Sequence, residues 1–190
     1  MKRFFTLGFI ALLVFSATAQ DFPKMDASPM DAAYFPARAA FRAFAKTDEE
    51  KAANQPVMRV VYSRPQKNER VIFGELVKYG EVWRVGANEA TEITFLQDVK
   101  IGDASVSAGR YTIYAIPSES AWEVHFSNDN DRWGHYAYKP EESLVTKISV
   151  PTAKTAETLE AFSVVFEAVD GGAHLVMGWD DTMVRVPIML

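Results

Sequence analysis

Several side chains that commonly bind ligands lie close together around the segment VWRVGANEAT, residues 82–91. Tryptophan and arginine are frequent anchors in binding sites, and a guanidinium group can hold a carboxylate through two parallel hydrogen bonds. A nearby arginine, which precedes a proline, could add a second donor. This composition would suit a sugar or a carboxylate. The candidate ligand-binding residues of this region are Arg64, Trp83, Arg84, Asn88 and Glu89.

The same segment can also be explained as a β-hairpin that only supports the fold. Pairing of residues 81–85 with residues 91–96 would set Arg84 opposite Glu92 as a cross-strand ion pair and would direct Trp83 into the core. The glycine and the asparagine between the two strands would form the loop, because these residue types tolerate left-handed backbone angles. The residues alone leave the choice open between a structural hairpin and a binding site.

A second cluster of polar and aromatic side chains lies in SNDNDRWGHYAY, residues 127–138. Asp129, Asp131 and Gly134 fit positions one, three and six of a calcium-binding EF-hand loop, but Trp133 and Pro140 fall at positions five and twelve, where oxygen ligands are needed. Apart from a looser calcium site built on backbone carbonyls, we expect no metal site and no cofactor. Either the segment is a turn over packed aromatic rings, or Trp133 offers a surface for a sugar and joins the candidate ligand-binding residues.

Sequence motifs of known catalytic sites are absent from the chain. The three histidines, His125, His135 and His174, have no second ligand at a spacing typical of zinc sites. There is no G-x-S-x-G, phosphate-binding-loop or G-x-G-x-x-G motif. Because the members of a catalytic triad need not be neighbours in sequence, a hydrolase with dispersed catalytic residues stays open. Its best candidates are His135 with Asp129 or Asp131.

These candidate residues must be positioned by a chain whose hydrophobic pattern changes at residue 57. From there on, short runs of alternating apolar and polar residues recur with turn residues between them, which is typical of an antiparallel β-sandwich or barrel. Asp170-Gly171-Gly172 is a strong hairpin signal. We predict a mostly β protein with a single β domain over residues 57–190. The predicted strands cover residues 57–62, 81–85, 91–96, 98–101, 110–116, 122–126, 144–150, 161–169, 173–179 and 183–188.

Residues 20–56 are predicted to form a short N-terminal helical segment, because alanine, the strongest helix former, is dense there. Ser28-Pro29 would begin the first helix. A second helix would cover residues 37–46 and pack on the domain through its phenylalanines, and Thr47 would cap a third. The alternative is a loosely held arm.

The first nineteen residues carry the pattern of a secretory signal peptide. Lys2 and Arg3 precede an apolar run over residues 4–15, and Ala17-Thr18-Ala19 matches the small-x-small pattern before a cleavage site. The apolar run is shorter than the ~20 residues that span a membrane, so we expect cleavage rather than an uncleaved anchor. The mature chain would start at Gln20, without a membrane span, in the periplasm or outside the cell.

Composition limits the kind of partner and the way in which the fold is held together. The chain has no cysteine, so neither a disulfide nor a lipid-modified cysteine is possible, and the core must hold the fold. Loss of Lys2 and Arg3 would take the net charge from −5 to −7. This acidity argues against nucleic acid, whose phosphates attract a basic surface.

A series of motifs runs through most of the chain. YSRP at residues 62–65 is followed by IFG-x-LV-x-x-G at residues 72–80 and by VWR-x-GAN-x-AT at residues 82–91. AGRYTIYAIP at residues 108–117 and VRVPI at residues 184–188 follow later. This series resembles the bacterial domain-of-unknown-function family 2911. The resemblance implies an exported, mostly β protein, and it brings no established activity, substrate or catalytic residue.

The sequence favours a non-catalytic binding or interaction module of a bacterial cell envelope, with a carbohydrate or an envelope protein as its partner. The hydrolase is the alternative. A structural protein that pairs with its partner through an exposed sheet edge is a third possibility.

Overall fold

The architecture is a curved antiparallel sheet with three short helices. A computed structural model of the protein describes residues 20–190, and the predicted signal peptide over residues 1–19 lies outside that part of the chain. The strands are β1 (Met30–Phe35), β2 (Met58–Ser63), β3 (Thr91–Phe95), β4 (Val99–Ile101), β5 (Ala104–Val106), β6 (Gly109–Pro117), β7 (Ala121–Ser127), β8 (Leu144–Val169) and β9 (Gly172–Met189). The helices are a 3₁₀ helix (Ala39–Phe44), α1 (Asp48–Ala53) and α2 (Pro140–Ser143).

The nine strands that the described residues form belong to one sheet, in the order β1-β2-β3-β6-β7-β8-β9-β4-β5, and all neighbours that pair are antiparallel. The mostly β, antiparallel, sandwich- or barrel-like fold predicted from the sequence is therefore confirmed. No helix within residues 20–190 is long and apolar enough to cross a membrane.

The long strand β8 bends the sheet back on itself. Its first part pairs with β7 and its later part with β9, and the register shifts between Lys154 and Leu159 and again before Ser163. Such irregularities bend a strand and increase its twist. The bend brings β8 to the segment that follows β2, where the Phe162 N–H donates to the Pro65 carbonyl at 3.0 Å. The sheet thus approaches a closed barrel.

An aromatic cluster fills the space that the curved sheet encloses. Trp83 lies at its centre, with ring centroids 5.5 Å from Trp122, 5.3 Å from Phe162 and 6.3 Å from Trp179. All four side chains are buried. Aromatic side chains contribute the largest buried areas to a core, so this cluster stabilises a fold that has no disulfide to brace it.

The helix predicted from Ser28-Pro29 is wrong, because residues 30–35 form the strand β1. Its register with β2 runs from Met30 opposite Ser63 to Phe35 opposite Met58. The Phe35 ring packs 6.1 Å from that of Phe166. These ladder bonds and contacts outweigh the helix propensity of the alanines, which is only a weak preference. The sheet consequently begins before the predicted boundary at residue 57.

Of the other two predicted helices, the first is a 3₁₀ helix and the second is confirmed as α1. Residues 37–46 contain the 3₁₀ helix instead of an α-helix, and Phe41 and Phe44 are 60% and 79% exposed. Their predicted packing on the domain is wrong, because one short 3₁₀ turn does not bring both rings to the sheet. The cap of α1 is confirmed, since the Thr47 hydroxyl accepts the Glu50 N–H at 3.1 Å.

The predicted hairpin of residues 81–85 with residues 91–96 is wrong. Both edges of β3 are already taken, by β2 on one side and by β6 on the other. Residues 81–85 instead cross the end of β6, where Trp83 and Ala115 exchange both backbone hydrogen bonds at 2.7 and 2.9 Å. The hairpin at Asp170-Gly171 is confirmed by the pairing of β8 with β9.

Candidate ligand-binding cleft

The loop over residues 85–90 has a fixed, locally strained backbone. Val85 has a φ of 58° and Asn88 a φ of 57°, and a left-handed angle is unusual for a β-branched residue such as valine. The Trp83 indole N–H donates to the Gly86 carbonyl at 3.1 Å, and the Ala87 N–H donates to the Ser63 hydroxyl at 2.7 Å. Strain of this kind persists only where the surroundings hold it, and it is common at functional sites.

A second loop, residues 128–139, is bound to the first. The Gly134 N–H donates to the Asn88 carbonyl and the Ala90 N–H to the Arg132 carbonyl, both at 2.8 Å. These bonds bring together the two clusters that the sequence showed as separate. His135 and Arg84 consequently face one cavity.

That cavity, which we call the Arg84 cleft, has a volume of about 470 Å³. This size falls in the range of small-molecule sites, about 300 to 1,000 Å³. Trp83 and Trp179 contribute apolar parts of the wall, and charged side chains of both signs line other parts of it. The ionisable residues of the lining are Arg70, Lys78, Glu81, Arg84 and His135.

Two nitrogen atoms of the lining are buried without a hydrogen-bond partner among the described residues. They are Arg84 Nε and His135 Nδ1. A buried polar group without a partner costs about 1–3 kcal/mol, so each such group in a folded protein calls for an explanation. Burial lowers the pKa of His135, the Arg84 charge lowers it further, and Glu81 opposes the shift. The imidazole is therefore neutral at neutral pH.

Of the sequence-predicted residues, Trp83 and Arg84 line the cleft. The predicted ion pair of Arg84 with Glu92 is wrong, because Glu92 contacts Arg110 at 3.3 Å and accepts the Asp131 N–H at 2.7 Å. The core position of Trp83 is confirmed.

Arg64 is not among the residues that line the Arg84 cleft. Its side chain forms hydrogen bonds in another part of the fold. Its guanidinium donates to Asp31 and to the Ser163 hydroxyl, both at 3.1 Å, and to the Phe162 carbonyl at 3.3 Å. These contacts join β1, the end of β2 and β8. Arg64 consequently supports the fold where the sheet closes.

Asn88, Glu89 and Trp133 lie beside the cleft. Asn88 shapes the loop, while Glu89 and Trp133 line a neighbouring groove of about 370 Å³. Trp133 is 63% exposed and Tyr136 is 74% exposed, with ring centroids 6.1 Å apart. The Tyr136 ring lies 5.1 Å from the ring of His135. The exposed aromatic surface therefore continues to the Arg84 cleft.

The structure does not assemble the predicted pairing of His135 with an aspartate. Asp129 forms an ion pair with Arg132, and Asp131 forms one with Arg110, each at 2.6 Å. Within residues 20–190, no group of three or more histidine, aspartate or glutamate side chains could hold a metal ion.

A partly buried chain of hydrogen bonds ties the 128–139 loop to the sheet. His125 bonds to the Tyr138 hydroxyl at 2.8 Å and to Glu123 at 2.7 Å, and Tyr138 stacks on Tyr114 at a centroid distance of 3.9 Å. Burial raises the pKa of Tyr138 to about 12, so its hydroxyl stays protonated. The arrangement is suited to holding the loop rather than to activating a nucleophile.

Sequence reasoning did not identify Arg70, Lys78 or Glu81 as lining residues. Arg70 and Lys78 come from the irregular segment between β2 and β3, where no periodic pattern indicates the direction of a side chain, and Glu81 begins a predicted strand that does not form. His135 was noted only as a possible catalytic group. Its position beside Arg84 depends on bonds between two loops that are far apart in the chain.

No curated protein and no solved structure matches this chain. One family model, described as "Protein of unknown function (DUF2911)", matches residues 45–188. The matched range contains the aromatic core cluster and all ionisable residues of the Arg84 cleft. The match covers well over half of the chain and agrees with the motifs of the sequence. The protein belongs to the DUF2911 family.

Proposed function

We propose that the mature protein is an exported, non-catalytic binding module of the cell envelope, and that its ligand is a carbohydrate held at the Arg84 cleft. The observation that carries the proposal is the junction of an exposed aromatic surface, Trp133 and Tyr136, with a polar cleft. Aromatic rings offer an apolar face to the carbon skeleton of a sugar ring, and a few placed polar groups fix its orientation.

The lining of the cleft supplies both kinds of hydrogen-bonding group that sugar hydroxyls require. Arg84, Arg70 and Lys78 are donors, and Glu81 is an acceptor. Two tryptophans of the wall are buried in the core cluster, so the cleft is built on a rigid part of the fold. A preformed site loses less conformational entropy when a ligand binds.

Hydrolysis has less support than binding. The carboxylates that would have partnered His135 are held by Arg132 and Arg110. The charged groups that shift the pKa of His135 are Arg84 and Glu81. The hydroxyl of Tyr138, which bonds to His125, keeps its proton.

Carbohydrate binding is tested by thermal unfolding of residues 20–190 with a panel of neutral and acidic oligosaccharides. A ligand at one hundred times its dissociation constant adds about 2.7 kcal/mol to the stability of the folded state. We expect stabilisation by at least one glycan, and loss of that effect in Trp133→Ala. Phe44→Ala is the matched control, because Phe44 is another exposed aromatic residue, on the 3₁₀ helix. If no glycan stabilises the protein, the carbohydrate proposal is rejected and an envelope protein becomes the leading partner.

Export is tested separately, by expressing the full chain in a bacterial host and fractionating the cells. We expect a periplasmic or secreted product whose first residue, by mass spectrometry of the N-terminus, is Gln20. A full-length product in the membrane fraction would show an uncleaved anchor instead.

A further inference from the structure

Two of the buried side-chain nitrogens that have no partner within residues 20–190 lie on the same cavity. Arg84 Nε carries a hydrogen that no acceptor takes, and His135 Nδ1 is equally unpaired. Both residues line the Arg84 cleft. A single unpaired atom is compatible with a small packing defect, but two in the wall of one cleft indicate that an acceptor group is missing there.

We propose that the Arg84 cleft contains an anion subsite, in which the carboxylate of an acidic sugar lies between Arg84 and His135. The inference rests on the proposed function and specifies its ligand class. After a small rotation of both side chains toward the cleft, each carboxylate oxygen would accept one hydrogen bond, one from the Arg84 Nε–H and one from His135 Nδ1, which donates in the neutral Nδ1–H tautomer and in the imidazolium.

The charge of the lining supports an anion. Three permanent cations, Arg70, Lys78 and Arg84, face the cleft against the single carboxylate of Glu81. The whole chain has a net charge of −5, so the cleft is a local positive region on an acidic protein. Clefts with one sign of charge and low-dielectric walls concentrate ligands of the opposite sign.

The ligand group is a carboxylate rather than a phosphate because of Glu81 and of the two donors. A monoanion meets less repulsion from Glu81 than a phosphate monoester, which carries nearly two charges at neutral pH. A planar carboxylate also matches two donors that approach from different residues.

The experiment uses pairs of sugars that differ only in one carboxylate. Oligosaccharides of galacturonate and of galactose are titrated into residues 20–190 by calorimetry, with the Arg84 Nε–H resonance followed by ¹⁵N NMR. We expect the uronate to bind at least about tenfold more tightly, a difference of about 1.4 kcal/mol, and to shift the Nε–H resonance. Arg84→Gln and His135→Gln should each abolish the difference, while Arg38→Gln, an exposed arginine outside the cleft, should leave it unchanged.

The possible failures separate the two proposals. Equal affinity for both sugars would overturn the anion subsite and leave carbohydrate binding standing. Absence of binding by either sugar, together with an unmoved Nε–H resonance in wild-type protein at high acetate, would overturn both. Inorganic phosphate that shifts this resonance more strongly than acetate and galacturonate would overturn the carboxylate assignment. The wild-type NMR readout decides these outcomes even if a variant fails to fold.

Discussion

At the scale of single residues, the two arginines that the sequence grouped together have different roles. The Arg64 guanidinium donates three hydrogen bonds within the fold, whereas Arg84 lines a cleft and its buried Nε has no partner in the described part of the chain. One of the two neighbouring motifs therefore contains an arginine that supports the fold, Arg64, and the other contains a candidate ligand-binding arginine, Arg84.

This difference predicts opposite results for two matched substitutions. Arg64→Ala should lower the free energy of unfolding by about 2 kcal/mol, because the three hydrogen bonds by which its guanidinium joins β1 and β8 are lost. Arg84→Ala should change it by less than about 1 kcal/mol, because no bond of the guanidinium Nε is broken. Reversible denaturant unfolding of residues 20–190 measures both. A large loss for Arg84→Ala and a small one for Arg64→Ala would reverse the assignment.

The lowered pKa of His135 predicts a pH dependence of stability. The folded state disfavours the charged imidazole, so the unfolded chain binds the proton at higher pH than the folded protein does. The stability that His135 contributes is present above its ordinary pKa of about 6.5 and decreases as the pH falls from there toward the folded pKa. Comparison of unfolding at pH 7 and pH 5 should show a smaller acid-induced loss in His135→Gln than in wild type. An identical loss in both proteins would mean that His135 titrates normally.

At the scale of elements, the position of the 128–139 loop decides whether the candidate site exists. The loop carries His135 and Trp133, and it is tied to residues 85–90 by two backbone bonds and to the sheet by Tyr138. The cleft therefore needs the contact between these two loops, although β9 contributes Trp179 and the segment between β2 and β3 contributes Arg70, Lys78 and Glu81 to its wall.

Tyr138→Phe should loosen this loop without changing the sheet. It removes the hydroxyl that bonds to His125 and keeps the ring that stacks on Tyr114. We expect a loss of about 1 kcal/mol and faster hydrogen exchange of the Gly134 and Ala90 amides. Tyr136→Phe is the control, since the Tyr136 side chain is exposed. Unchanged amide protection in Tyr138→Phe would show that the other contacts of the loop, such as those of Asp131 with Glu92 and Arg110, hold it without the Tyr138 hydroxyl.

At the scale of the whole molecule, the curved sheet depends on β1, which lies outside the predicted β domain. β1 pairs along its full length with β2, and Asp31 and Phe35 contact Arg64 and Phe166. The fold therefore includes residues that composition alone assigned to a helical segment.

Two deletions test this extension of the domain. A chain that starts at residue 37 loses β1, and we expect a loss of roughly 3 kcal/mol or more, since a ladder of net bonds of about 0.5–1.5 kcal/mol each is removed. A chain that starts at residue 27 loses only exposed residues and should keep wild-type stability. Both are measured by denaturant unfolding. Equal stability of the two chains would show that β1 is dispensable.

Much of the fold could be predicted because the evidence for it is local. Alternation in RYTIYAI predicts β6, the Asp-Gly-Gly turn predicts the β8–β9 hairpin, and Thr47 before acidic residues predicts α1. The burial of Trp83 could also be anticipated. The two wrong predictions have different causes: pairing with β2 overrides the helix propensity of residues 30–35, and residues 81–85 find both edges of β3 occupied.

The sequence by itself determined the fold class, the positions of most strands and the residue types at the candidate site, because side-chain periodicity and turn chemistry act over a few residues. Only the tertiary structure decided that β8 bends to meet the end of β2, that Arg64 supports this closure and that Arg84 shares a cleft with His135. These relations join residues about fifty to one hundred positions apart. They depend on which strand edges remain free once the sheet has formed, and no local pattern records that competition.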